Sequence, residues 1–156
     1  MNVFGKPLGD YIKFEKVFLT VTVVVGLIRL GLTLSGVPNA VVTWFSMTAL
    51  TLFGVVYLSI HVERSGFGTY KHLFVLLALQ LAFSGVIIAA GITIAGVTGV
   101  SNIFQIDSPN ANPIAHAAQH LLGGPTIQAF VLWLPASLIM FGAKKIGLGR
   151  PAAVAH

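Results

Sequence analysis

The sequence predicts an all-α integral membrane protein, a four-helix up-down bundle. Four long, nearly uncharged apolar segments carry this prediction, at residues 17–34, 41–60, 73–100 and 127–142. Crossing the ~30 Å hydrocarbon core of a bilayer takes about 20 apolar residues at a helical rise of ~1.5 Å. The composition agrees, because 56% of the residues are hydrophobic and 8% are charged, whereas soluble domains are roughly a quarter charged. The segments and their connections use nearly the whole chain, so a single membrane domain is expected.

The distribution of positive charge predicts the orientation. Eight of the nine basic residues fall on one side if the chain crosses four times: Lys6, Lys13, Lys16, Arg64, Lys71, Lys144, Lys145 and Arg150. The connections at residues 35–40 and 101–126 contain no Lys or Arg. Cytoplasmic flanks retain basic residues during insertion. Both termini are therefore expected in the cytoplasm, and the expected location is a bacterial cytoplasmic (inner) membrane.

The same distribution argues against nucleic-acid binding, which needs basic residues gathered on one solvent-exposed face. The expected partners are the lipid bilayer, other membrane protein subunits and further copies of the chain. Anionic lipid contributes about 1 kcal/mol per nearby basic group. The chain has no cysteine, so disulfides, thiolate metal ligands and thiol nucleophiles are excluded.

The N-terminal 16 residues are polar and are expected to lie outside the first segment. Gly5, Pro7 and Gly9 disfavour a long helix there, and at most a short interfacial helix over residues 10–16 is predicted. Residues 35–39 have the composition of a tight turn, with Gly36 and Pro38. The first two segments are therefore expected to be antiparallel neighbours, and the short loop at residues 61–72 predicts the same for segments two and three.

The third segment is expected to provide the main packing seam. Gly91, Ala95 and Gly99 recur at every fourth residue, and such a strip of small residues lets another helix approach closely. The favoured partner is segment one, with Gly26 and Gly31. A second copy of the chain is the alternative.

The fourth segment contains Pro135, which removes one backbone hydrogen bond and predicts a kink. Ser137 is expected to help satisfy the carbonyls that this proline leaves free.

The connection between segments three and four is expected to contain a short interfacial helix at about residues 113–122. Asn112 fits the N-cap, Pro113 the first helical position, and the Gly123-Gly124-Pro125 run the stop. Ile114, Ala117, Ala118 and Leu121 form its apolar face. This pattern predicts a helix that lies flat, either capping the outer end of the bundle or resting in the headgroups, with His116, Gln119 and His120 on the opposite side.

Two histidines of that helix are candidate ligands. His116 and His120 are one helical turn apart, and neutral imidazole suits zinc or copper. Two ligands do not complete a tetrahedral zinc site, and the Glu of an HExxH metalloprotease is absent because residue 117 is Ala. The solvated side of an interfacial helix is the favoured interpretation, with a metal site, or a pH-responsive or ligand contact, as alternatives.

Arg29 is interpreted as the one charged residue inside a segment, and burying its charge in the membrane needs a compensating interaction. The guanidinium could reach the outer headgroups, pair with Asp107, the one acidic residue expected on the outer side, or hold an anionic or carbonyl-bearing ligand. Because no segment is expected to contain a carboxylate, a proton-coupled pump is disfavoured. Arg29, Asp107, His116 and His120 are the predicted ligand-binding set.

His61 and His72 are expected at the cytoplasmic ends of adjacent antiparallel helices, where they could approach each other. One histidine from each of two helices is the arrangement of a bis-histidine haem. Membrane haems prefer ligands deeper in the bundle, so solvated interfacial histidines are the favoured interpretation. Neither haem nor a divalent metal is a favoured cofactor.

The function favoured by the sequence is that of a non-catalytic subunit or interaction protein of a membrane assembly. A redox module that binds haem, metal or quinone is the first alternative, and a small channel or transporter the second. Enzymatic activity is the least favoured class, because catalysis needs acids, bases or nucleophiles in mutual geometry and the candidates are few.

Overall fold

The structure is a computed structural model that describes residues 1–104 and 112–148. It begins with a hairpin of β1 (Asn2–Val3) and β2 (Lys6–Pro7). The helices are α1 (Leu8–Leu34), α2 (Asn39–Val42), α3 (Met47–Ser65), α4 (Tyr70–Thr98), α5 (Pro113–Ala118), a π-helix (Gln119–Gly123) and α6 (Gly124–Lys145). The all-α class is confirmed, and four helical stretches are long and apolar enough to cross a membrane: Leu8–Leu34, Asn39–Ser65, Tyr70–Thr98 and Pro113–Lys145.

The first helix is longer than predicted, since α1 begins at Leu8 and takes in the polar residues that were assigned to a separate interfacial helix. Pro7 occupies the N-cap and fixes the backbone just before the first turn. The hairpin turns at Phe4 and Gly5, whose φ angles of 49° and 85° are both positive, as tight hairpin turns require. The Tyr11 hydroxyl donates a hydrogen bond to the Val3 carbonyl (2.8 Å) and so holds the hairpin against α1.

The second apolar segment is not one continuous helix as predicted. α2 ends at Val42 and α3 begins at Met47. Ser46 is the N-cap of α3, and its hydroxyl accepts a hydrogen bond from the Ala49 amide (3.1 Å). A serine side chain that bonds to the backbone in this way favours a helix start over a helix interior. Trp44, between the two helices, is 86% exposed.

α4 is the central helix, because it packs against α1, α3 and α6. Half of its most apolar window is buried, against 22–28% for the other three candidate spans. The largest apolar cluster lies where these helices meet, with its fully buried members Tyr11, Leu58, Val62, Leu73, Leu76, Leu77 and Ala136.

Neighbours approach α4 closely where one partner is glycine. A Cβ atom at Gly26 of α1 would lie 2.8 Å from Cγ2 of Ile87, and one at Gly54 of α3 would lie 2.5 Å from the Gln80 amide. At Gly85, a Cβ would overlap the backbone carbonyl oxygen of His120. Helix axes can come this close only where no side chain intervenes.

Two residues of the predicted packing seam on α4 lie against other parts of the chain. Gly91 contacts Phe104 and Leu30, the latter in the favoured partner α1, and Ala95 is buried. Gly99, however, is the C-cap of α4 with a φ angle of 71° and has nothing within 4 Å of a Cβ position. A left-handed C-cap is the common role of glycine at a helix end. Gly31 likewise faces open space, so Gly26 alone of the two predicted glycines packs closely.

α6 continues through Pro135 as one helix. The role predicted for Ser137 is wrong, since its hydroxyl is buried and has no hydrogen-bond partner among the described residues.

We expect Gly85→Ala to destabilise the protein by about 1–3 kcal/mol, because the added methyl group meets a backbone oxygen that cannot rotate away. The control is Gly31→Ala, which has open space and should instead gain about 0.5–1 kcal/mol from reduced backbone freedom in the unfolded state. Equilibrium unfolding of the purified variants in detergent, followed by circular dichroism, measures both. Equal stabilities for the two variants would contradict the close approach of α4 and the π-helix.

Candidate functional site

A cavity of about 380 Å³ lies between α3, α4, the π-helix and α6. Its polar side chains are those of Thr48, Thr51, Ser84, His120 and Gln128. Its rim is apolar and exposed, with Leu52 of α3 and Ile127 and Val131 of α6 each more than half exposed. The cavity therefore opens sideways, between α3 and α6, and combines apolar walls with a few hydrogen-bonding groups, as small-molecule sites do.

The π-helix brings His120 to this cavity. The sequence predicts a stop at Gly123-Gly124-Pro125, but the chain stays helical from α5 through the π-helix into α6. Gly124 lies in αR conformation with φ −57°, and its amide donates to the Gln119 carbonyl five residues back. The helix continues into α6 although Pro125 has no N–H to donate to the preceding turn. The predicted start is confirmed, because the Asn112 side chain accepts hydrogen bonds from the Ile114 and Ala115 amides. Widened turns of this kind are frequent at functional sites.

The burial of this helix differs in part from the prediction. Ile114 is 81% exposed and Leu121 45% exposed, so these members of the apolar face do not pack on the bundle, and contact of that face with headgroups stays a prediction. His116 and His120 are instead half-buried, and Ala117 is buried. The spacing of apolar residues did not indicate which side of this helix packs on α4. The contact of the His120 carbonyl with Gly85 determines how the helix is rotated.

His116 and His120 form a close pair, with 3.2 Å between their Nε2 atoms. Neutral imidazole carries one proton on its two nitrogens, so one ring donates through Nε2 and the other accepts there and carries its proton on Nδ1. When His116 is the donor, His120 keeps a free Nδ1–H. In the described part of the chain, no group of three or more His, Cys, Asp or Glu side chains comes together, so the pair lacks the further ligands that tetrahedral zinc needs.

Arg29 is not among the residues that line the cavity. Its guanidinium carbon lies 5.4 Å from the centre of the Phe104 ring, a cation–π contact. Phe104 is held by Asn102, whose amide donates to the Gly91 carbonyl (2.6 Å) and accepts from the Phe104 amide (3.0 Å). The headgroup, Asp107 and ligand contacts predicted for Arg29 stay predictions beside this cation–π contact. Asp107 lies outside the described residues.

His61 and His72 are both held by aromatic neighbours. His61 stacks on Phe14 with 4.5 Å between ring centres, and Phe14 stacks in turn on Phe67 at 4.0 Å. Phe67 then meets the His72 ring edge-on at 6.3 Å. The Thr69 amide donates to His72 Nδ1 (3.0 Å) as part of the capping of α4. The rings of Phe14 and Phe67 thus lie between the two imidazoles. A bis-histidine haem would instead need its iron atom between them.

Glu15 is the ionisable residue that sequence reasoning missed. It lies in α1, is 1% exposed, and neither carboxylate oxygen has a hydrogen-bond partner among the described residues. The prediction that no apolar segment contains a carboxylate is therefore wrong for the helix as it forms. A signal was present in the sequence, because Tyr11, Glu15 and Thr22 share one helical face with Gly26.

Gln80 of α4 is also buried, at 1% exposure, and neither atom of its amide has a hydrogen-bond partner among the described residues. It lies against Gly54 of α3. Glu15 and Gln80 are thus almost fully buried side chains that find no hydrogen-bond partner in the described part of the chain, and such groups are rare and costly.

Comparisons of the chain with models of protein families, with characterised proteins and with solved structures give no match.

We expect Glu15→Gln to leave the stability at pH 7–8 unchanged or to raise it by about 1–3 kcal/mol, since it keeps the shape of the side chain and removes a buried group that can ionise without a partner. The matched control is Glu63→Gln, at a half-buried site near the end of α3, where a change within about 0.5 kcal/mol is expected. Unfolding in detergent measures both variants. A loss of stability in Glu15→Gln larger than that in the control would show that the carboxylate has an ionic partner.

Proposed function

We propose that the chain is inserted in a bacterial cytoplasmic membrane as an up-down bundle with both termini in the cytoplasm. The four apolar helices support insertion. So do the large apolar side chains on their outer surfaces: Phe53, Phe130, Leu134 and Leu138 are 58–72% exposed. A soluble protein rarely exposes so much contiguous apolar surface.

Contacts between helices support the up-down order. Phe14 and Phe18 near the start of α1 stack on His61 and Tyr57 near the end of α3. Gly85 of α4 lies beside Pro125 at the start of α6, and the Tyr70 carbonyl accepts a hydrogen bond from the Trp133 indole in the middle of α6 (2.8 Å), so these two helices run antiparallel. Lys13, Arg64 and Lys71 then come to one end of the bundle, as the positive-inside rule requires of the cytoplasmic side.

The orientation can be tested by cysteine labelling, because the chain has no native cysteine. We expect Lys13→Cys and Lys145→Cys to react with a membrane-impermeant maleimide only after the cells are permeabilised, since both sites lie at the proposed cytoplasmic end. Ile114→Cys, at a position 81% exposed, should react in spheroplasts without permeabilisation. Reaction of only one of the two lysine sites in intact spheroplasts would contradict the even number of crossings.

We further propose that the protein is a non-catalytic component of a membrane assembly, either a subunit or an interaction protein. Its cavity at His120 binds a small lipid-soluble molecule of the quinone class, which has a carbonyl-bearing head. The observation that carries this proposal is the cavity itself. It sets a half-buried imidazole and the buried Ser84 hydroxyl in apolar walls that open between α3 and α6.

The chemistry of the cavity favours a carbonyl acceptor. The Ser84 hydroxyl and the Gln128 amide can donate, and His120 can donate through Nδ1 in the tautomer in which His116 is the donor of the imidazole pair. A sideways opening with an apolar rim gives access from the hydrocarbon region, where a quinone dissolves. No carboxylate lines the cavity among the described residues, so a cationic ligand would find no countercharge there.

Equilibrium binding of a short-chain benzoquinone to the purified protein in nanodiscs, measured by calorimetry, tests this proposal. We expect His120→Leu and Ser84→Ala each to weaken binding about 2–10-fold, the equivalent of one hydrogen bond of ~0.5–1.5 kcal/mol. Gln119→Ala is the matched control, because this residue is exposed on the same π-helix and does not line the cavity.

Unchanged affinity in both cavity variants would rule out the cavity as the binding site. Co-purification of a stoichiometric membrane protein, together with no quinone binding, would leave the subunit role alone.

A further inference from the structure

A larger groove, of about 900 Å³, runs between the start of α4 and the second half of α6. Its main lining residues are Tyr70, Lys71, Trp133, Leu134, Leu138 and Phe141. It shares no residue with the cavity at His120. Its volume is at the upper end of the range of ligand pockets, ~300–1,000 Å³.

The wall of the groove is held in place by Trp133. Its indole N–H donates to the Tyr70 carbonyl (2.8 Å), and Phe74 meets its ring edge-on with 6.2 Å between centres. Beyond it, Leu134 and Leu138 are 63% and 72% exposed. The surface of α6 beside the start of α4 is therefore almost wholly apolar, and Trp133 holds it in position.

Positive charge flanks this strip. The Lys145 ammonium lies 5.5 Å from the centre of the Phe141 ring. Lys71 lines the groove, and its ammonium lies over the Phe4 ring at 5.8 Å. None of the described residues that line the groove is acidic. An occupant with a long apolar part and an anionic end matches both features.

We propose that this groove binds one anionic phospholipid, with an acyl chain along Trp133, Leu134 and Leu138. Lys71 in the groove wall and Lys145 beside Phe141 supply the positive charge that favours an anionic headgroup. The proposal rests on the membrane insertion proposed above, because lipid then surrounds this face of the bundle. A peptide is a poorer occupant, since the apolar walls offer few partners for its backbone hydrogen-bonding groups.

Trp133 reports directly on the groove. The chain has two tryptophans, and the other, Trp44, is 86% exposed and lies outside the groove. In a Trp44→Phe background, the test is quenching of Trp133 fluorescence in vesicles by phosphatidylglycerol or phosphatidylcholine that carry the same brominated chains. We expect phosphatidylglycerol to occupy the groove preferentially and to quench more strongly at equal mole fraction.

Substitution of either lysine should reduce that preference. At about 1 kcal/mol per basic group, Lys71→Gln and Lys145→Gln should each lower the relative association constant of phosphatidylglycerol over phosphatidylcholine roughly fivefold. Lys13→Gln is the matched control, because this exposed lysine of α1 neither lines the groove nor has a cation–π contact with a residue that does, as Lys145 has with Phe141. It should leave the ratio unchanged.

Three results would overturn the site. Equal quenching by the two lipids would show that the groove does not select an anionic headgroup, and an equal loss of preference in Lys13→Gln would show that only overall surface charge acts. Either result would leave membrane insertion intact. Quenching by neither lipid would overturn both the site and the insertion on which it rests.

Discussion

Close approach to the central helix α4, at positions where one partner is glycine, is the constraint on which the rest of the structure depends. Gly26 of α1 meets Ile87, Gly54 of α3 meets Gln80, and Gly85 of α4 meets the His120 carbonyl. In a bilayer, lipid tails satisfy apolar side chains as well as another helix does, so helices associate through van der Waals contact at short range and through polar groups. Each glycine allows such a short-range contact at a different position along α4. The rotation of the π-helix, and with it the position of His120, follows from the contact at Gly85.

The same close packing encloses polar side chains that the described residues leave without partners. Glu15 and Gln80 are each 1% exposed, and none of their four terminal side-chain atoms has a hydrogen-bond partner there. Burial of such groups opposes folding, and ionisable residues inside membrane bundles commonly mark functional positions. The interior of this bundle is thus more polar than its composition indicates, and it holds a carboxylate close to the proposed cytoplasmic end.

The two ends of the bundle differ in chemistry. At the π-helix, one imidazole of the His116–His120 pair and a buried hydroxyl line a small cavity, and none of its described lining residues is Lys or Arg. At the start of α4 the groove is larger, its walls are nearly all apolar, and lysines flank it. A neutral, hydrogen-bond-accepting head suits the first and an anionic head with a long chain suits the second. The two proposed ligands would therefore occupy separate sites, reached from the same surrounding lipid phase.

The sequence by itself determined the all-α class, the four apolar helices and the start of the helix at Asn112, because length, hydropathy and capping are local properties of the chain. It also marked His116 and His120 as neighbours, since residues four apart lie on one helical face. Only the tertiary structure decided that α1 extends back to Leu8, that the helix does not stop at Gly123, and which side of it faces α4. These depend on contacts between residues far apart in the chain, such as Tyr11 with Val3 and Gly85 with His120, which local patterns do not encode.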